Sequence, residues 1–82
     1  MKTIRQKSFY TTQDLSLAAA ISLLFPIETI DKTNPRKATF VFKQSKNLEG
    51  MVDSYWRDEL KVNPRAYFDK LRSIKSRLYA GR

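Results

Sequence analysis

The sequence predicts an α+β fold, a small antiparallel three-stranded sheet packed on one face by helices, in the order β-α-β-β-α-α. Apolar residues alternate with a period of two over residues 37–43, an apolar helical segment precedes this stretch, and two amphipathic helical segments follow it. The 82 residues suffice for one domain and are too few for two. We expect residues 1–7 to be a flexible basic arm and residues 8–82 to form the domain.

The first quarter of the chain predicts a short strand leading into a helix. Residues 8–11 have strand character, and Thr11 or Thr12 can cap a helix over about 12–24, with Asp14 in a capping-box position. This helix is apolar nearly all round, which is typical of a helix buried on both sides. One side could instead contact another subunit. Phe25 precedes Pro26 and therefore ends the helix.

A β-hairpin is predicted next. Residues 27–32 and 37–43 form its strands, and residues 33–36 have the composition of a turn. Ala38, Phe40 and Phe42 share one face of the second strand, which we expect to point toward the helices. The opposite face carries Lys37, Thr39, Val41 and Lys43.

Two helices complete the prediction. Ser45 can cap a helix over about 46–60, and Asn63 followed by Pro64 is a strong start for a helix over 64–80, which Gly81 stops. The residues expected to be buried in the last helix are Tyr67, Phe68, Leu71, Ile74 and Leu78.

Composition argues against an enzyme. The chain has no cysteine and no histidine, which removes thiolate sites, the commonest metal ligand and the commonest general base. The two glycines cannot form a phosphate-binding loop. The carboxylates of Asp53, Asp58 and Glu59 do not converge on one helix surface. We expect no catalytic residue, no metal and no cofactor.

Charge indicates the class of partner. The net charge is +8, distributed as +4 over residues 1–43, −2 over 44–60 and +6 over 61–82. Such an excess attracts polyanions, with DNA or RNA as the expected partner, although it could also serve solubility alone. No apolar run reaches the roughly 20 residues of a membrane span. We expect a cytoplasmic protein that does not bind membranes.

The hairpin is the first candidate site. Lys32, Arg36, Lys37 and Lys43 surround Thr39 on or beside its outward face, which would suit phosphate and groove contacts. The alternative is an edge strand whose lysines prevent aggregation.

The last helix is the second candidate. Arg65 and Arg72 lie on one flank of its expected apolar arc, and Lys70 and Arg77 lie on the other, about 140° away. Lys75 falls inside the expected arc, where it would border the packed region or face a partner. These cations could instead cover the rim of the core. The predicted nucleic-acid-binding residues are Lys32, Arg36, Lys37, Thr39, Lys43, Arg65, Arg72 and Lys75.

Aromatic residues offer a further possibility. Tyr10, Trp56 and Tyr79 lie near element ends and could stack on bases, although aromatic residues in so small a domain are more often buried. Trp56 and the leucines of the first helix also support an alternative function, a protein–protein adaptor or small subunit that docks or self-associates through an apolar helix surface.

Three segments carry a resemblance to a known family. They are the strand and helix start at 9–15 (FYTTQDL), the strand at 38–42 (ATFVF) and the closing helix at 64–79. Together they resemble a family of small microbial and viral domains catalogued only as a domain of unknown function. The resemblance implies the α+β fold and implies no catalytic or binding residue.

Overall fold

The computed structural model describes residues 9–34 and 36–80. Its elements are β1 (Phe9–Thr12), α1 (Leu15–Ser22), β2 (Thr29–Asp31), β3 (Thr39–Lys43), α2 (Lys46–Trp56) and α3 (Pro64–Ala80). The predicted fold class and element order are confirmed. The predicted arm at residues 1–7 and the helix stop at Gly81 lie outside the described residues.

The sheet has β3 at its centre, with strand order β1-β3-β2 and both pairings antiparallel. Tyr10 pairs with Phe42, and Ile30 pairs with Phe40, so these residues share the inward face. Phe40 and Phe42 are fully buried. The predicted hairpin and the inward direction of the two phenylalanines are therefore confirmed.

Helix α1 is shorter than predicted and is capped by a different residue. Thr12 completes β1 opposite Phe40, and its hydroxyl accepts a hydrogen bond from the Asp14 amide at 3.1 Å. The Asp14 carboxylate then accepts from the Leu17 amide at 3.2 Å and caps the helix. All residues from Leu17 to Ser22 are buried within this chain, which confirms burial on both sides for this part of the helix.

The second half of the chain begins its helices as predicted. The Ser45 hydroxyl accepts from the Leu48 amide at 3.1 Å, and the Asn63 side chain accepts from the Ala66 amide at 3.0 Å. Helix α2 ends at Trp56 rather than near residue 60, because Asp58 adopts the left-handed conformation, with φ of 60°.

The core lies between the inward face of the sheet and the three helices. It comprises Leu17, Ala18, Ala19, Ile21, Phe40, Phe42, Leu48 and Ile74. Helix α3 packs along α1 and contributes Ile74 as its most deeply buried residue. The helices thus cover one sheet face, and no helix or strand formed by residues 9–34 and 36–80 covers the opposite face.

Candidate nucleic-acid interface

The open sheet face contains part of the predicted site. Thr39 and Val41 are half-buried at its centre, and Lys43 is exposed at one end. Phe9 lies directly opposite Lys43 and is 51% exposed, so an aromatic ring and a cation are neighbours there. The sequence prediction missed Phe9 as a surface residue. Because successive residues of a strand point to opposite faces, an inward Tyr10 implies an outward Phe9.

A carboxylate interrupts this face. Asp31 is the direct cross-strand partner of Thr39, and it accepts hydrogen bonds from the hydroxyl and the amide of Thr33 at 2.6 and 2.9 Å. These hydrogen bonds lower the pKa of the Asp31 carboxyl, so the group is ionised at neutral pH. The face is therefore mixed in charge.

Three of the hairpin cations, Lys32, Arg36 and Lys37, lie outside the strands and are exposed. The Lys32 ammonium donates to the carbonyl of Arg77 at 3.4 Å, which brings the end of the hairpin beside the last turns of α3. A cation at a helix C-terminus also interacts favourably with the negative end of the helix dipole. Arg36 and Lys37 follow in the turn and at the approach to β3.

Helix α3 presents a second, more regular surface. Five exposed residues recur at spacings of three and four and occupy about 80° of the helix circumference. We call this set the α3 stripe. It consists of Arg65, Phe68, Arg72, Lys75 and Tyr79.

The stripe corrects one prediction about α3. Phe68 was expected to be buried and is 56% exposed, whereas Lys75, which was expected to border the packed region or face a partner, is exposed. The reason is that α3 packs on α1 through a narrow arc of Tyr67, Leu71, Ile74 and Leu78, only about 60° wide. Phe68 and Lys75 fall beside this arc and in line with the arginines.

Asp69, the one acidic residue of α3, borders the stripe. Asp69 pairs with Arg72 at 2.6 Å, and both side chains are largely exposed. Together with Arg65 and Phe68 they line an open concavity of about 520 Å³. The ring of Phe68 meets that of Tyr67 at a centroid distance of 5.9 Å, which orients the exposed ring.

The aromatic candidates divide into two groups. Tyr10 points inward, and burial, reinforced by the Asp14 carboxylate, raises the pKa of its phenol. Burial, followed by the negative charge of Asp14, likewise raises the pKa of the Tyr55 phenol. Trp56 and Tyr79, by contrast, are 61% and 65% exposed.

The structure brings together three of the eight predicted site residues, Arg65, Arg72 and Lys75, on one helix face. Lys32 joins the C-terminal end of that helix, whereas Thr39 and Lys43 lie on the open face of the sheet. Lys70 and Arg77 lie on the other flank of α3, as expected. Across residues 9–34 and 36–80, no cluster of acidic side chains could hold a metal ion.

The fold and this surface define a small α+β domain with exposed cations and aromatic rings on its longest helix. A family model described as a domain of unknown function, DUF5659, matches residues 7–80, and the chain belongs to that family. No curated protein and no solved structure gives a match. In the described part of the chain, no helix has the length and apolar character needed to cross a membrane.

Proposed function

We propose that this domain binds nucleic acid without catalysis and that the α3 stripe is its principal contact surface. One observation supports this most strongly: three cations and two exposed aromatic rings lie together along one face of α3. Cations bind phosphates, and aromatic rings stack on bases. This combination is not required for solubility, since exposed aromatic rings oppose it.

The dimensions of the stripe favour a single-stranded ligand. From Arg65 to Tyr79 it extends about 21 Å, which is long enough to follow several nucleotides. Phe68 and Tyr79 can stack only on bases that are not already stacked within a duplex. The cations would follow the backbone while the rings contact the bases, with little dependence on base sequence.

The hairpin supplies a supporting contact in this proposal. Lys32 lies beside the last turns of α3 on the flank that carries Arg77, so a strand that follows the stripe would reach the hairpin cations only by passing around the C-terminal end of the helix. Lys43 and Thr39, on the open sheet face, would contribute less, because Asp31 repels phosphate there. A non-catalytic role in the cytoplasm is also consistent with the absence of cysteine and histidine.

The test is a salt titration of binding to labelled single-stranded and duplex oligonucleotides. Replacing Arg65, Arg72 and Lys75 together by glutamine should reduce the slope of log affinity against log salt by about 2 for a single strand. Replacing Lys46, Lys61 and Lys70 by glutamine removes the same charge elsewhere and serves as the matched control. Equal effects of the two triple variants would contradict the α3 site, and wild-type affinity no tighter than millimolar at low salt would contradict nucleic-acid binding altogether.

The hairpin contribution needs its own variant. Replacing Lys32, Arg36 and Lys37 by glutamine should weaken binding by less than the α3 triple variant does, because these cations lie at one end of the proposed path. A larger effect would move the principal contact to the hairpin.

The second candidate function is a protein–protein adaptor or small subunit. Of the residues that suggested it, Leu17–Ser22 of the first helix are buried within this chain, whereas Leu24 and Trp56 are 71% and 61% accessible. Val62 is 37% accessible. Sedimentation equilibrium tests self-association directly, and a monomer across the accessible concentration range would argue against a subunit that assembles with copies of itself.

A further inference from the structure

A pocket between the end of α2 and the start of α3 is lined mainly by aromatic and aliphatic side chains. It measures about 470 Å³ and shares none of the five residues of the α3 stripe, although its residue Tyr67 contacts Phe68. We call it the aromatic pocket. Its lining residues are Ala20, Tyr55, Trp56, Asp58, Leu60, Val62 and Tyr67.

Three rings form the walls. Tyr55 and Trp56 lie perpendicular to each other with their centroids 5.0 Å apart, so they make a corner. Tyr67 enters from α3, and its hydroxyl donates to the Ser16 carbonyl at 3.2 Å, which holds that ring in place. All three of these residues line the pocket, so each presents part of its surface to a ligand.

One carboxylate lies in the same lining. Asp58 is the one non-glycine residue with positive φ among those described, a conformation that asparagine and aspartate tolerate better than other side chains. Its amide donates to the Tyr55 carbonyl at 3.1 Å, which fixes the turn. Arg57 and Glu59 pair with each other at 3.5 Å, and in the described part of the chain no ion pair engages Asp58.

We propose that the aromatic pocket binds an organic ammonium cation, specifically a methylated one such as a trimethylammonium group. The negative faces of aromatic rings attract a cation, and a methylated ammonium loses little hydration when it leaves water. The Asp58 carboxylate supplies the opposite charge, and Leu60 and Val62 contact the methyl groups or the attached chain.

The lining discriminates against other ligands. An inorganic divalent cation needs six or more oxygen ligands, and one carboxylate with two phenols falls short of that number. An anion would be repelled by Asp58 and by the ring faces. A neutral apolar ligand would desolvate the carboxylate without pairing it. This inference is independent of nucleic-acid binding, because the pocket and the stripe share no residue.

Trp56 is the single tryptophan of the chain, so its fluorescence reports on this pocket alone. The first experiment titrates choline at constant ionic strength and follows Trp56 emission. The neutral isostere 3,3-dimethylbutanol, which replaces the ammonium nitrogen by carbon, is the matched ligand control. We expect saturable binding of choline, with the isostere at least about ten-fold weaker. Equal affinities for choline and the isostere would overturn the proposal. So would the lack of any saturable change in Trp56 emission as choline is raised into the tens of millimolar.

Variants locate the site. Asp58→Asn retains tolerance of the left-handed conformation and should lower choline affinity about five- to ten-fold. Trp56→Ala should abolish choline binding. Because this variant lacks the fluorophore, its binding is measured from the NMR signal of the choline methyl groups. Phe9→Ala removes a ring outside the pocket whose exposure, 51%, is similar to the 61% of Trp56, and it should leave the choline affinity unchanged. An unchanged affinity in Asp58→Asn, with its fold verified by circular dichroism, would refute the role of the carboxylate.

A peptide that carries one trimethyllysine distinguishes two sources of the same group. Tighter binding of this peptide than of choline would assign the pocket to a methylated protein partner. Binding of choline as tight as or tighter than the peptide would assign it to a small molecule. Either result supports the site, and failure of both ligands overturns it without affecting the test of nucleic-acid binding.

Discussion

Removal of one carboxylate should strengthen binding to nucleic acid. Asp69 holds the Arg72 guanidinium at 2.6 Å, on the surface that we propose for phosphate contacts. The substitution Asp69→Asn keeps the size of the side chain and removes its charge. It should therefore free Arg72 for a phosphate and remove a repulsion at the same time.

The expected gain follows from two terms. An exposed ion pair of this kind is worth up to about 1 kcal/mol, and we take about 0.5 kcal/mol as the cost of breaking it on binding. A carboxylate about 6 Å from a phosphate is repelled in water by about 0.7 kcal/mol, which salt at 0.1 M reduces to about 0.4 kcal/mol. Together the terms give about 0.9 kcal/mol, or about a five-fold gain in affinity.

Fluorescence anisotropy with a labelled single-stranded oligonucleotide measures this gain. Asp53→Asn makes the same change in net charge on the exposed surface of α2 and is the matched control, for which we expect a gain below about two-fold. Equal gains for the two variants would refute the placement of the site on α3. Thermal stability should change little in either case, because surface ion pairs contribute little to folding.

Four further predictions concern the fold and the stripe. Phe42→Ala should destabilise the domain by about 3–5 kcal/mol in urea denaturation, since the ring is fully buried, whereas Phe68→Ala should cost less than about 1 kcal/mol. The same Phe68→Ala should weaken single-strand binding by about 1–3 kcal/mol if a base stacks on the ring, and unchanged anisotropy titrations would rule out that contact. Ser45→Ala removes the α2 cap and should cost about 1 kcal/mol, seen as a fall in Tm of about 4–8 °C. The folded-state pKa values of Tyr10 and Tyr55 lie above the ordinary 10.0, so their contribution to stability is complete below about pH 10 and is lost as pH rises through the folded-state values. In the variant Tyr10→Phe/Tyr55→Phe, the urea midpoint of unfolding should fall less steeply as the pH is raised above 10. An equally steep fall in the variant and the wild type would show that these two phenols do not cause the loss of stability.

Local patterns were sufficient to predict most of the fold. The alternation around Phe40 and Phe42 predicted strand β3 and its inward face, because a buried sheet face selects apolar residues at every second position. The central position of β3 was not predicted. The caps at Ser45 and Asn63 are also local, since a side-chain oxygen and an amide three residues on suffice to start a helix.

The errors arose where distant partners decide the outcome. Thr12 can cap a helix or extend a strand, and its pairing with Phe40 in β3 selects the strand and transfers the cap to Asp14. Phe68 was assigned to the core because α3 has an apolar arc, but the width of that arc depends on how α3 meets α1. The turn at Asp58 lacks the glycine that usually signals a helix end.

The candidate site was predictable only in part. Sequence periodicity placed Arg65 and Arg72 on one flank of α3, but it could not show that Phe68 and Lys75 join them. The aromatic pocket combines residues from α1, α2, α3 and the α2–α3 connection, so no single segment of sequence contains its pattern.

The central position of β3 has a consequence for synthesis of the protein. Strand β1 has its partner in β3, and the pair Phe9 and Lys43 is separated by more than thirty residues of chain. Helix α1, with its apolar surface on all sides, therefore leaves the ribosome well before the strand and helices that cover it. During this interval the nascent chain exposes Leu17–Ser22, side chains that the folded domain buries completely, until residues of β3 and α3 emerge to cover them.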